Sequence, residues 1–448
     1  MLKIHPNALE NFNQKAAQIL NFIKCIEPND VQFPSFDPGT HPSVIINASD
    51  VLNDPIHRAT DIDNFTVCLY LTSELSIGIL EDGCLELRKV VDNLFKIKEV
   101  NRKVSIKTLD YLMCIWIRNK FNDPNLCDFM EFLGTHLARL IDEYNIFIPI
   151  EFLHIEKSFT IGSVAFKPFT KESIDELESR AINQSQDSHR QELAKMLFDK
   201  RIREFQGHAI ATIALEAESE RAYEIAIEET NTALSMLRIF SASAQEPLSY
   251  YPCAVWGSSN ISRGYLMALK EGNLNQLTIK TLDRRPMLEY LDNQTIDNLF
   301  SVGLNILDKL LQLEKRNPFQ KKLLDSLILY SRSAVLKDIA DKLIYILVSL
   351  ESIFLKNSSE PIQQNLGERI AFLIGDSIDK RKRIISVVRD IYGLRSGFVH
   401  HGGSINDYEK MREFMMYAWQ AIISLIQMSN SVQTIEDLFK ELDDRKLS

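Results

Sequence analysis

The chain has 448 residues, a quarter of them charged, and a formal net charge of −10. That length exceeds one ordinary hydrophobic core and predicts two or three domains. The acidic balance excludes a general nucleic-acid coat protein, whose binding depends on basic side chains that neutralise phosphates, and leaves room only for a local basic site.

The first dozen residues hold no apolar stretch of signal-peptide length, and the longest apolar run, residues 343–348, is too short to span a bilayer. A cytoplasmic protein with no membrane segment is expected. Six cysteines, at 25, 68, 84, 114, 127 and 253, have no close pair. They fit neither a zinc site nor a disulfide framework and read as core or incidental thiols. No metal or cofactor is expected.

Residues 1–145 read as a mixed α/β region of unassigned role. Phe12, Ala16, Ile19, Leu20 and Ile23 have the spacing of an amphipathic helix over residues 8–26. Strands are predicted at 43–47, 65–71 and 76–80, the last closed by a hairpin-like turn, Glu81-Asp82-Gly83. Helices follow at 109–120 and 126–144, with Asn125 capping the second.

Residues 146–286 read as an α+β middle region. Two strand-like runs fall within 152–169, the second at 158–167, and residues 173–200 are helical in part. A strand at 208–215 precedes a strong helix at 220–240, whose Ala222, Ile225, Ala226, Ala233, Leu234 and Leu237 form one stripe. Residues 241–262 are loop-rich, and 265–279 resembles two short strands. A boundary is placed at Arg284-Arg285-Pro286.

Beyond residue 287 no strand is predicted and helix follows helix, at 294–313, 318–331, 336–355, 362–374, 378–395, 406–428 and 434–442. The fold class is therefore α+β: mixed N-terminal and middle regions with small β-sheets, then an all-α bundle over residues 287–448.

One stretch concentrates chemistry. Arg395-Ser396-Gly397-Phe398-Val399-His400-His401-Gly402-Gly403 puts a fixed cation and two imidazoles close together between two helical segments. Arginine presents a fork of donors suited to phosphate, while histidine exchanges a proton near neutrality. The spacing is not decisive, since about one chance match to it is expected in a chain with this much Arg and His. Arg203-Glu-Phe-Gln-Gly-His208 is such a decoy, leading into a predicted strand. On an ideal helix Arg395 and His400 lie about 140° apart, so convergence needs a bent or ended helix, which Gly397 and Gly402-Gly403 permit, or a second copy of the chain. A basic run, Lys380-Arg381-Lys382-Arg383, with Arg389, precedes the motif and suits either an RNA-binding surface or a solvated helix face.

Other readings stand beside these roles. Arg395 also suits capping of helix-end carbonyls, and His400 a hydrogen-bonded core position. Tyr392 and Phe398 read as packing residues before base-stacking ones. Glu351, within an apolar helix, calls for a cation such as Arg369 or Arg395.

Asn365-Leu-Gly-Glu-Arg-Ile-Ala-Phe-Leu-Ile-Gly375 and Ile391-Tyr-Gly-Leu-Arg-Ser-Gly-Phe-Val-His-His-Gly402, preceded by Leu350-Glu-Ser-Ile-Phe354, resemble the Apea-like branch of the HEPN superfamily. The specific marker is Tyr-x-x-Arg-Ser ending a helix, followed by His-Gly. The resemblance covers roughly residues 320–430, with weaker similarity at 147–150 and 159–164. It implies a HEPN-type helical bundle, a homodimer through that bundle, and metal-independent RNA cleavage in defence or stress systems. The N-terminal regions would then recognise a trigger or regulator. Carried over, Arg395 would hold the scissile phosphate and His400 act as general acid or base. Ser396, His401, Tyr392 and Glu351 would support them. Ser396 stands where most HEPN nucleases carry Asn, Asp or His.

Overall fold

Helix-periodic stripes and short apolar runs resolve into an α+β architecture. A computed structural model of the chain describes residues 5–26, 57–61, 63–72, 76–184, 187–200, 202–259, 263–270, 273–281, 288–356, 359–401, 405 and 407–447. It divides into two compact units, one of Met1–Ile146 with Ala214–Ala226, the other of Phe147–Ile213 with Ile227–Ser448.

In the first unit, α1 (Pro6–Ile19) opens with a proline at the first helical position and the His5 side chain accepting from the Asn7 N–H at 3.3 Å. It gives way to a 3₁₀ turn at Leu20–Phe22 instead of running to residue 26, because β1 (Lys24–Cys25) pairs into a sheet. That sheet also contains β2 (His57–Thr60), β3 (Thr66–Tyr70) and β4 (Ile77–Ile79), all neighbours antiparallel, in the order β1-β4-β3-β2. The strand expected at 43–47 lies outside the described residues.

Glu81-Asp82-Gly83 is not a turn. It is the first turn of α2 (Glu81–Phe95), where two carboxylates face the positive end of the helix dipole. A Cβ on Gly83 would come within 2.3 Å of Ile79, so this packing requires glycine. Ser105 caps α3 (Ile106–Asn122), accepting from the Thr108 N–H at 3.1 Å, and Thr108 to Ile117 are all buried. Asn125 does not cap α4 (Phe129–Leu140); Asp128 takes the cap position, and the Asn125 N–H donates to Asp123. This helix stops at Leu140 because the next residues enter β5 (Asp142–Glu151). Leu87, Leu94, Leu109, Leu112, Trp116, Phe129 and Leu133 form the heart of this unit's core.

The second unit holds a five-stranded sheet in the order β10-β5-β9-β8-β7. After β6 (Leu153–Ile155), the run at 158–167 splits into the hairpin β7 (Phe159–Ile161) and β8 (Val164–Pro168). Gly162, at φ 64°, makes its turn. The helices α5 (Lys171–Gln184) and α6 (Ser188–Lys200) fill the partly helical stretch, and β9 (Ala209–Ala217) leads to α7 (Ser219–Ile239). Past the loop lie β10 (Ala254–Val255) and the hairpin of β11 (Arg263–Lys270) and β12 (Asn273–Thr281). Residues 284–286 lie outside the described set, and chain on both sides of them belongs to this unit.

Two expectations about the C-terminal part are corrected. A strand does occur there: β13 (Glu289–Leu291) pairs in parallel with β6. Three residues carry no periodic signal, and their partner is distant in sequence. The helix expected at 294–313 is broken into α8 (Asn293–Leu299), a π turn at Phe300–Leu304 and α9 (Asn305–Gln312), because Gly303 adopts φ 154°.

The rest is helical: α10 (Pro318–Ala334), α11 (Ile339–Phe354), α12 (Ile362–Ile374), α13 (Ile378–His401), α14 (Tyr408–Met428) and α15 (Ile435–Leu447). Asn317 and Gln320 form a capping box at α10, and Asp338 and Asp407 cap α11 and α14. α10 packs on α11, and α13 on α12 and α14. Among the described residues no helix is long and apolar enough to cross a membrane.

Candidate active site

The sequence reading ended a helix at Arg395, but α13 continues unbroken through Gly397 to His401. A glycine weakens a helix interior by about 1 kcal/mol without stopping it, and the stronger stop signal, Gly402-Gly403, comes only afterwards. Neither Gly393 nor Gly397 has a neighbour within 4 Å of where a Cβ would stand, so packing does not demand glycine at either position.

Helical continuity separates the two candidate catalytic groups. Ile384, Val387, Val388, Ile391 and Tyr392 are buried and define the inner face of α13. Arg395, one turn beyond Ile391 and Tyr392, falls over that face and is half-buried. Lys382, Arg389, Ser396 and His400 recur at seven- and four-residue steps along the opposite flank, and all four are exposed. Arg395 and His400 therefore diverge by about 140° and do not meet on one phosphate within a single chain. The side chain of His401 lies outside what is described.

Below Arg395, Tyr392 is 4 % exposed and its hydroxyl donates to Glu351 Oε1 at 2.6 Å, tying α13 to α11. Burial pushes the phenol pKa well up and the Glu351 hydrogen bond and charge push it further, while the nearby Arg395 pulls it down. The cation expected beside Glu351 is not Arg369. That guanidinium forks onto Glu360 at 2.8 and 2.9 Å, and also donates to the Phe354 carbonyl. Among the described residues no carboxylate pairs with Arg395 either.

Much of the basic run is already engaged. Arg383 forks onto Glu413 of α14 at 2.7 and 2.5 Å. Arg381 donates to the Gly375 carbonyl at 3.0 Å and lies over the Phe372 ring, and Lys380 reaches Asp376 at 3.3 Å. Arg389 approaches Asp390 at 3.9 Å and Ser386 at 3.3 Å. Sequence reading missed Glu413, because nothing local links it to a cation thirty residues earlier. Lys382 and Arg389 remain on the outer flank that carries His400.

The decoy has a different fate. Arg203 is bound by Asp175 at 3.0 Å, Glu178 at 2.6 Å and Asp199 at 3.3 Å, so little of its charge remains for a phosphate. His208 packs its ring against His154 and Trp256, at centroid distances of 4.7 and 5.1 Å. Burial lowers its pKa, His154 lowers it further and Glu151 opposes them.

No family model, curated protein or solved structure matches the chain. The likeness to the HEPN superfamily rests on the quoted residues alone.

Proposed function

We propose that the protein is a cytoplasmic, metal-independent endoribonuclease of HEPN type, active as a homodimer through its C-terminal helices. Its N-terminal regions recognise the trigger in a defence or stress response. The observation that carries the proposal is the state of Arg395. It is half-buried over a tyrosine anchored on Glu351, with no carboxylate paired to it among the described residues, whereas Arg203 and Arg383 are neutralised.

In this reading Arg395 holds the non-bridging oxygens of the scissile phosphate and stabilises the charge that develops on them. The 2′-oxygen attacks phosphorus as its proton is removed, and the 5′-oxygen leaves with a proton from the general acid. The products are a cyclic phosphate and a 5′-hydroxyl. His400 is one of the two proton-transfer groups. Because Arg395 and His400 diverge on one helix, the site combines Arg395 of one copy with His400 of another. Gly393, Ser396 and Gly397 leave the intervening surface of α13 without bulk, which allows a second copy to approach.

The test is incubation with total RNA. Wild type should cleave it, while Arg395→Ala and His400→Ala should each be slower by about 10²–10⁴-fold. Mixing the two inactive variants should restore cleavage, because a mixed dimer regains one intact pair. Failure of wild type to cleave, or equal cleavage by all three proteins, favours a second reading. In that reading the domain is a non-catalytic HEPN module that binds RNA, nucleotide or a protein, and the divergence of Arg395 from His400 is its natural geometry.

A further inference from the structure

The second unit also contains a largely enclosed cation, outside the sequence motif, with which no carboxylate pairs among the described residues. Arg238 lies in the last turn of α7, where the carbonyl end of the helix partly offsets a positive charge. Its Nη2 donates to the Cys253 carbonyl at 3.3 Å, but its Nε is enclosed and has no acceptor among the described residues. A lysine in this position could shed its proton. An arginine cannot, so its desolvation must be met by an acceptor.

A second orphan donor lies in the same cluster. Tyr251 is 2 % exposed, its backbone N–H is fixed on the Ala334 carbonyl at 2.7 Å, and its hydroxyl, set beside the Cys253 thiol, has no oxygen or nitrogen acceptor among the described residues. Close by, the Cys253 thiol donates to the Phe152 carbonyl at 3.3 Å, and the Glu289 N–H reaches the same oxygen at 2.9 Å. Phe152 holds φ at 61°, a left-handed backbone that is costly for an aromatic residue and tends to mark binding sites.

The cluster's carboxylate does not answer the arginine. Glu289 bears on both Tyr251 and Cys253, yet burial alone pushes its own pKa up, with no cation opposing it. Burial likewise pushes Arg238 down, opposed by Tyr251 and Cys253. A buried water could accept one of the orphan protons but would leave the guanidinium charge uncompensated. An oxyanion supplies both several acceptor lone pairs and the charge.

We propose that Arg238 Nε and Tyr251 Oη are donors of an enclosed binding site for a small oxyanion, either a phosphate or a carboxylate. Arg238 retains partial exposure while Tyr251 does not, so the ligand enters past the guanidinium.

The experiment uses the full chain, with calorimetric titration and thermal unfolding in sodium phosphate, sodium acetate or sodium chloride at constant ionic strength. Phosphate or acetate should bind and raise Tm relative to chloride. Response to phosphate alone assigns a phosphoryl ligand, and response to acetate alone a carboxylate. Tyr251→Phe, which removes only the orphan hydroxyl, should retain the fold and bind about 5-fold more weakly; Arg238→Gln should not bind. The proposal is overturned if neither oxyanion binds, if chloride alone stabilises, or if folded Tyr251→Phe binds like wild type.

Discussion

Lys342 offers a quantitative test of how the C-terminal helices tolerate a buried charge. It sits on α11 at 0 % exposure, its ammonium donating to the Ser249 carbonyl. Burial lowers its pKa from 10.5 to about 8, with Glu246 pulling the other way. Glu246 is itself forked by Arg412 at 2.9 and 3.0 Å, so its charge is shared. Since the native state binds this proton more weakly than the unfolded chain, the group destabilises the fold fully below pH 8. The penalty is released as pH rises from about 8 to 10.5. At about 1.4 kcal/mol per tenfold in proton affinity, the full release is about 3 kcal/mol. Lys342→Met keeps the unbranched stem and removes the charge. Urea unfolding of both proteins from pH 7 to 10.5 should show wild type gaining about 3 kcal/mol on the variant across that window, and nothing below it. Subtracting the variant cancels other titrating groups. Parallel curves would mean that Lys342 is not desolvated, and the reasoning would fail.

Gly397→Ala should raise stability by about 0.5–1 kcal/mol in thermal unfolding, because α13 is continuous there and a Cβ meets nothing within 4 Å. Destabilisation would mean that the helix bends at the motif. Tyr392→Phe should cost about 1.5–3 kcal/mol by denaturant titration, since it deletes a charge-assisted hydrogen bond and leaves Glu351 without that donor. Unchanged stability would remove the anchoring role given to this pair. Cleavage carried out by a guanidinium and imidazoles needs no Lewis acid, so excess chelator should leave the rate nearly unchanged. Loss of activity restored by magnesium or manganese would refute that chemistry.

The parts of the fold legible in the sequence are those with a long period. α7 and α12 each present an apolar stripe and bounded ends, and both occur within a residue or two of where the pattern puts them. What escaped was decided by single backbone angles or by distant partners. Gly303 at φ 154° interrupts a helix whose apolar periodicity runs on regardless. The three residues of β13 exist because β6 offers them a parallel edge. Glu81-Asp82-Gly83 has the composition of a turn, yet it starts a helix because glycine admits Phe22 and Ile79 at close range.

For the site, residue types were legible but their electrostatic state was not. Arg203 and Arg395 head the same spacing to a histidine, and only tertiary neighbours separate them: three carboxylates converge on the first and none of the described ones pairs with the second. The basic run likewise suits an RNA-binding surface as well as a solvated helix face until Glu413 closes on Arg383 from another helix. Helix continuity matters most for function. If α13 had ended at Arg395, the five-residue spacing would have left a single-chain site open through some loop geometry. Because it runs to His401, that freedom is gone. Two groups about 140° apart on one rigid helix either act in different copies of the chain or do not act on the same phosphate. Cleavage by wild type therefore decides between an enzyme and a binding module, and recovery of activity on mixing two inactive variants decides whether the two groups act in different copies, which sequence spacing by itself could not.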